Sequence, residues 1–297
     1  MSAVSAVAAY LVDDEKNLSD LKVGGRRFFG EELECAETTT SNFGTIAVSA
    51  HVFFPEFIPI LLQKLESWPH GTNVYLTCSN SEIFLELEKK LDDLKFNVVL
   101  RQTPNVGRNF APLLVEFSQD LLKYDFFVHV HSKRTTHGAK GLGTTWASRS
   151  YDLLGNFAYV KRILSEMNVN PQIGVAFADA ADLLRGINFR WGKSKVAGAN
   201  LFRKLKMTDS KLLQGPISFP AGGMFLARTE SVKELLELNW SYEAFSRESG
   251  QKDGTLQHAI ERLFGILPLH KGYSQLMYDS ESGKFTVFAR EIKSTNK

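Results

Sequence analysis

Short apolar runs alternate along the chain with segments whose apolar residues recur at helical spacing. Residues 45–51, Thr-Ile-Ala-Val-Ser-Ala-His, predict a buried strand, and Phe57, Ile60, Leu61 and Leu65 give one apolar face to a helix over residues 54–67. Residues 73–78 repeat the strand signal. The spacing of Ile83, Leu87, Leu91 and Leu94 predicts a second helix, with Ser81 as its N-cap. A third strand over 96–101 leads through the loop 105–112 into a helix over 113–122, and residues 125–131 give a fourth strand. Beyond it come a helix over 151–167, a strand over 173–177, a looser basic stretch over 185–211, the segment 219–228 and a helix over 256–264. This alternation predicts a three-layer α/β fold around a mainly parallel sheet with right-handed crossovers. Residues 1–42 lack periodicity and end in a polar cluster from Thr38 to Asn42, so they read as an N-terminal extension and linker.

Parallel strands present their C-terminal ends along one edge, where open α/β sheets hold their ligands. Four polar groups fall there: His51, then Thr77 with Ser79, then residues 105–109, then residues 129–134. An apolar strand that runs straight into His129, His131, Ser132, Lys133 and Arg134 points to an anionic small molecule, with phosphate the first guess. In the loop from Asn105 to Asn109, Gly107 permits close backbone approach, Arg108 can fork onto a phosphate or carboxylate, and Asn109 can read a ring or ribose edge. Each group has a plain alternative. His51 can be a core histidine, the 105–109 loop a helix-initiating turn, and the stretch after Lys133 a solvated basic loop. That stretch is not a Walker A loop, because Gly143 is followed by Thr144 rather than lysine. His129 and His131 share a strand face, which leaves a metal pair open with His270 as a distant third ligand.

Further along, the polar segment 247–255 enters a helix on which His258, Glu261 and Arg262 share a face. Asp253 reads either as the cap of that helix or as a general base that deprotonates a hydroxyl; Glu261 stands behind it as base, or pairs with Arg262 structurally. Gly222 and Gly223 let the backbone make a close approach, or form a tight turn into a strand. Arg190, Lys193, Lys195, Arg203, Lys204 and Lys206, with Trp191 among them, can meet a membrane surface or lie on a solvated face.

Composition narrows the partners. The net charge is only +2, from 35 basic and 33 acidic side chains, which gives no general nucleic-acid footprint. Cys35 and Cys78 form no CxxC pair, so neither a disulfide framework nor a zinc ribbon is expected and a reducing cytoplasm fits. Asp13, Asp14 and Glu15 interrupt the apolar start too early for a secretory signal. No run approaches the roughly 18 apolar residues of a membrane span, so membrane contact is expected to be peripheral, at the inner face.

Ile46 to His51, Asn105 to Leu113, His129 to Lys133, Gly222 to Phe225 and above all Asp253-Gly-Thr-Leu-Gln-His-Ala-Ile-Glu-Arg-Leu-Phe264 resemble the rhamnan synthesis protein F family, glycosyltransferases of bacterial cell-surface polysaccharide assembly. The resemblance implies a GT-A-like nucleotide-sugar domain over residues 45–272, between an extension (1–44) and a C-terminal tail (273–297). It also implies transfer of a sugar, often rhamnose from a dTDP donor, onto a growing glycan or lipid-linked glycan. In that reading His51, Thr77 and Asn105, Gly107, Arg108 and Asn109 hold the nucleotide, while His131, Lys133 and Arg134 serve the diphosphate. Asp253 and Glu261 supply the base, and Gly222 and Gly223 face sugar or acceptor. The wider GT-A pattern has a metal-binding Asp-x-Asp after the fourth strand, where this chain has His129-Val-His131. The cofactor is therefore unassigned, with a divalent metal left open, and fixed cations are expected to stabilise the leaving pyrophosphate. Two other readings stand beside it: a non-catalytic glycan- or nucleotide-binding domain, and a histidine-ligated metal hydrolase.

Overall fold

The computed structural model describes residues 21–23, 26–33, 43–91, 95–133, 150–151, 157–178, 190–214, 217–279 and 283–290. Their strands are β1 (Leu21–Val23), β2 (Arg26–Leu33), β3 (Ile46–Val52), β4 (Asn73–Cys78), β5 (Asn97–Gln102), β6 (Phe126–His131), β7 (Ile173–Ala178), β8 (Phe225–Arg228), β9 (Ser274–Asp279) and β10 (Lys284–Arg290). They join in one sheet of order β1-β2-β10-β9-β7-β8-β6-β3-β4-β5.

The quartet β5-β4-β3-β6 is parallel, as the sequence predicts. The rest of the sheet is mixed: β8 lies antiparallel between β6 and β7, β9 runs parallel to β7, and β10, β2 and β1 follow antiparallel. The chain builds outward from β3 to β4 and β5, then returns to the other flank of β3 to lay down β6. Its crossovers diverge between β3 and β6, and such a switch point opens a crevice at the strands' C-terminal ends.

The helices are α1 (Phe57–Leu65), α2 (Ser81–Leu91), α3 (Ser118–Leu121), α4 (Phe157–Val169), α5 (Lys195–Lys204), α6 (Thr229–Leu236) and α7 (Leu256–His270). Apolar side chains of α1, α2 and α4 cover one face of the sheet, packing on Val48, Ala50, Val52, Val74, Leu76, Val128 and Val130. Ile58, Leu61 and Leu65 of α1 are fully buried there, each worth about 1.5–3 kcal/mol against exposure. Apolar residues of α5, α6 and α7, with the segment 110–121, cover the other face over Ala47, Tyr75, Phe127, Phe225 and Ala227. The result is the expected three-layer α/β arrangement.

Local chemistry explains several departures from the sequence reading. The cap of α2 is Asn80, whose Oδ1 accepts from the N–H groups of Glu82 (2.7 Å) and Ile83 (3.3 Å), rather than Ser81. The helix expected over 113–122 is broken by a widened π-type turn at Pro112–Glu116 before α3. The helix expected to stop at Phe264 continues to His270 with Pro268 inside it. Residues from the segments set apart as extension and tail meet in the sheet, where β2 pairs with β10 and β10 with β9. Antiparallel pairing of that kind uses backbone N–H and C=O groups and leaves little trace in side-chain periodicity.

Candidate functional site

The register of β3, β4 and β6 stacks their polar residues. Ser49 lies beside His129, and His51 lies beside both His131 and Thr77. Strand alternation turns Val48, Ala50, Val52, Val128 and Val130 to the opposite face. All five members of the polar column thus point to the α7 side of the sheet, at the switch point.

His129 is fully buried. Asn109 Nδ2 donates to its Nε2 (3.1 Å), so its Nδ1–H faces Ser49 Oγ (3.3 Å). Burial, then the neighbouring His131 and His51, hold it neutral, well below its ordinary pKa. His51 Nδ1 lies 2.9 Å from Thr77 Oγ1, which itself makes a long 3.5 Å contact to the carbonyl of Ala50. Burial first and His131 second push His51 down to about 3. His131 sits between two carbonyl oxygens, Gly222 O at 2.6 Å from Nε2 and Ser132 O at 3.0 Å from Nδ1. Only an imidazolium can donate to both. Burial and then Lys133 nevertheless hold it down to about 4, against the pull of the two carbonyls. His131 is therefore held neutral first by burial, with nearby positive charge adding to the effect.

That charge comes from Lys133 and Arg108. Desolvation pushes Lys133 down to about 7; Glu261 opposes this and Arg108 adds to it. Its backbone N–H donates to the hydroxyl of Tyr151 (2.9 Å), and the preceding Ser132 Oγ accepts from the N–H groups of Phe53 (2.7 Å) and Phe54 (3.0 Å), tying the end of β6 to the exit of β3.

Arg108 occupies the left-handed region at φ 55°. Its Nε donates to Glu248 Oε2 (3.2 Å), its Nη1 to His258 Nε2 (2.9 Å) and its Nη2 to the carbonyl of Gln251. His258 accepts at Nε2, so its Nδ1–H donates to Thr255 Oγ1 (2.6 Å). Burial, then Arg108, lower it to about 4. Gly107 is required beside it: φ is 67°, and a Cβ would fall 2.5 Å from that of Ala111 and 2.7 Å from the ring of Phe245.

The two carboxylates differ. Asp253 does not cap α7, whose N-cap is Thr255. Its Oδ2 accepts from the N–H of Lys193 (2.9 Å) and its Oδ1 from Ser194 Oγ (2.5 Å), with Arg262 Nη2 at 3.2 Å. Burial works against the charge, yet Ser194, Arg262 and the backbone donors together hold the carboxyl below its ordinary range. Arg262 thus pairs with Asp253, not Glu261. Glu261 Oε1 instead accepts from the N–H of Gly222 (2.6 Å), the same residue whose carbonyl faces His131. Gly222, at φ 97°, closes a turn in which Gly223 N donates to Pro220 O (2.9 Å). Gly223 lets that turn pack on Asn109, since a Cβ would meet Asn109 Nδ2 at 2.9 Å.

The fold therefore links His51, Thr77, Gly107, Arg108, Asn109, His131, Lys133, Gly222, Gly223 and Glu261 through one set of contacts, with Asp253 at its rim beside His258. Asn105 is exposed on the loop. Arg134 and the loop after it lie outside the described residues. Sequence reasoning missed Glu248, Gln251 and Tyr151 as partners, since each reaches the site only through tertiary contacts. It had His258 and Arg262 on a shared polar face, and the structure buries both.

Both ring nitrogens of His129 are engaged, and among the described residues no three His, Cys, Asp or Glu side chains are grouped to hold an ion. Among the same residues no helix is long and apolar enough to cross a membrane.

The switch point of this α/β fold thus gathers Lys133, Arg108 and the Glu261 carboxylate at a glycine turn. The chain belongs to the rhamnan synthesis protein F family, whose profile matches residues 27–273. It is similar to the uncharacterized protein WxcX of Xanthomonas campestris pv. campestris, in strains B100 and ATCC 33913, at 25% identity over 228 residues. Those residues are 76% of this chain and 32% of WxcX, so the matched segment spans about a third of the curated relatives' length.

Proposed function

We propose that the chain is a GT-A-like glycosyltransferase, acting at the cytoplasmic face of the membrane. It moves a sugar, rhamnose in the leading case, from a nucleoside-diphosphate donor to a hydroxyl of a growing cell-surface glycan. The observation that carries this reading is the cationic group at the switch point: Lys133 and Arg108 act on one another and on His131 at the C-terminal ends of the paired strands β3 and β6. In the reaction the bond between the sugar's anomeric carbon and the diphosphate oxygen breaks, and a bond to the acceptor oxygen forms. Charge accumulates on the diphosphate as it leaves, so fixed cations there lower the barrier. Lys133 supplies the first such charge, and a bound diphosphate favours its protonated form. The same anion offsets the Lys133 repulsion that adds to burial in lowering the His131 pKa, and so favours an imidazolium that can donate to both carbonyl partners. His51, Thr77 and the loop from Asn105 to Asn109 border the nucleoside.

The acceptor hydroxyl loses its proton to a carboxylate, and the geometry favours Glu261 over Asp253. Glu261 is fixed through one oxygen at the Gly222 turn, whereas Asp253 is engaged through both oxygens and its depressed pKa makes it a weak base. Asp253 instead positions the start of α5 against α7.

A thermal-shift screen of dTDP, UDP, GDP and CMP tests the binding step: a nucleotide at about 100 times its dissociation constant adds about 2.7 kcal/mol of stability. Silence from all four overturns the reading. Turnover tests the base. Glu261→Gln is expected to cut kcat by about 10²–10⁴-fold with nucleotide binding retained, and undiminished turnover would return the role to Asp253.

A further inference from the structure

Residues 190–211 hold seven Lys or Arg and one acid, Asp209, a net +6 in a chain whose total is +2, so the remainder carries −4. Helix α5 turns Gly198, Leu201 and Phe202 inward, where Gly198 lies against the Trp191 ring and Phe202 packs edge-on to it. The outward half is formed by Lys195, Val196, Asn200, Arg203 and Lys204, with Lys193 and Lys206 exposed at either end. Among the described residues no carboxylate pairs with any of these five cations. At the centre of this face Val196 is 74% exposed, the largest exposure of any bulky apolar side chain described. A soluble polyanion gains nothing from an apolar residue amid the cations. The boundary between headgroups and acyl chains suits both, because the side chain enters the apolar side while the lysines remain among phosphates.

From this charge asymmetry and the exposed valine we infer that the outer face of α5 is a docking surface for an anionic lipid bilayer. Each Lys or Arg near such a surface adds to the attraction, which falls off within about 10 Å at ordinary salt. The face also adjoins the functional site. Lys193 and Ser194, at the start of α5, hold Asp253, and α5 packs on α7. A chain docked this way brings the 247–258 segment beside the membrane, where a lipid-linked acceptor would present its glycan. The docking itself stands whether or not the transferase reading does.

Sedimentation of the full chain with vesicles tests it. Binding is expected to phosphatidylcholine vesicles containing one third phosphatidylglycerol, at least about tenfold above pure phosphatidylcholine, and to fall as salt rises from about 50 to about 200 mM. Lys195→Glu, Arg203→Glu and Lys204→Glu together should abolish binding, and Val196→Asp should weaken it. Lys89→Glu with Lys90→Glu on α2, in the opposite layer, should leave it intact. All these side chains are exposed, so a circular-dichroism melt should show each variant folded. Absence of binding to the anionic vesicles overturns the inference. So does equal binding to neutral vesicles, equal retention on duplex DNA in place of lipid, or a triple variant that still sediments.

Discussion

The two faces of strands β3 and β6 are built from alternating residues of the same short segments, yet they are chemically unlike. On one face Val48, Ala50, Val52, Val128 and Val130 meet the helices α1, α2 and α4 in an apolar layer. On the other, Ser49, His51, His129 and His131 form a hydrogen-bonded column that reaches Asn109, Thr77 and Gly222. Burial is nearly complete on both, so what separates them is what each buries. The apolar face contributes stability, and the polar face holds three imidazoles below their ordinary pKa and spends part of that stability to do so. One thin sheet can carry both because adjacent side chains along a strand never share a face.

Substitutions should separate the two roles. The largest effect on folding is expected from Leu61→Ala on α1, a loss of about 2–5 kcal/mol in denaturant titration, with turnover per folded molecule unchanged. A changed KM would mean that the apolar layer also shapes the site. On the polar face, Lys133→Ala should lower turnover by about 10²–10³-fold, about 2.7–4 kcal/mol, with little change in the unfolding midpoint; the reverse pattern would make Lys133 structural. Smaller again is Asn109→Ala. It strands the buried Nε2 of His129 and should cost about 1–3 kcal/mol by the same titration. No loss would show that water replaces the amide.

The gentlest test changes pH alone. An unfolded chain protonates its histidines near 6.5, whereas the fold holds His51 down to about 3 and His131 and His258 to about 4. Between those values the unfolded state binds more protons, so stability should fall as pH drops from about 6.5 toward 4. His51→Asn should flatten that slope, and an unchanged slope would remove His51 from the column. Lys133, at about 7, acts on ligand affinity in the other direction: nucleoside-diphosphate binding should weaken as pH rises through 7 and the amine loses its charge.

Much of this was legible from local pattern. The four parallel strands were predicted to within a residue or so at each end, because period-two burial writes itself into short apolar runs. Once they were parallel, their polar ends had to share an edge, which is why His51, Thr77, Arg108, His131 and Lys133 could be grouped in advance. Short β8 and the antiparallel strands β1, β2 and β10 at one end of the sheet left no comparable periodicity. Helix α5 was hidden in what read as a loose basic stretch, since its inward stripe is only Gly198, Leu201 and Phe202.

The sequence by itself determined the layers, the edge on which chemistry collects and the presence there of cations with two candidate carboxylates. These follow from periodicities of two and 3.6 residues, which every segment carries within itself. Only the tertiary structure decided that Arg108 would be held by Glu248 and His258, 140 and 150 residues away, that Arg262 would neutralise Asp253 rather than Glu261, and that Glu261 would meet the Gly222 turn beside His131. Those choices depend on how α5, α7 and the 245–255 segment close over the sheet, and that closure is set by packing between distant segments.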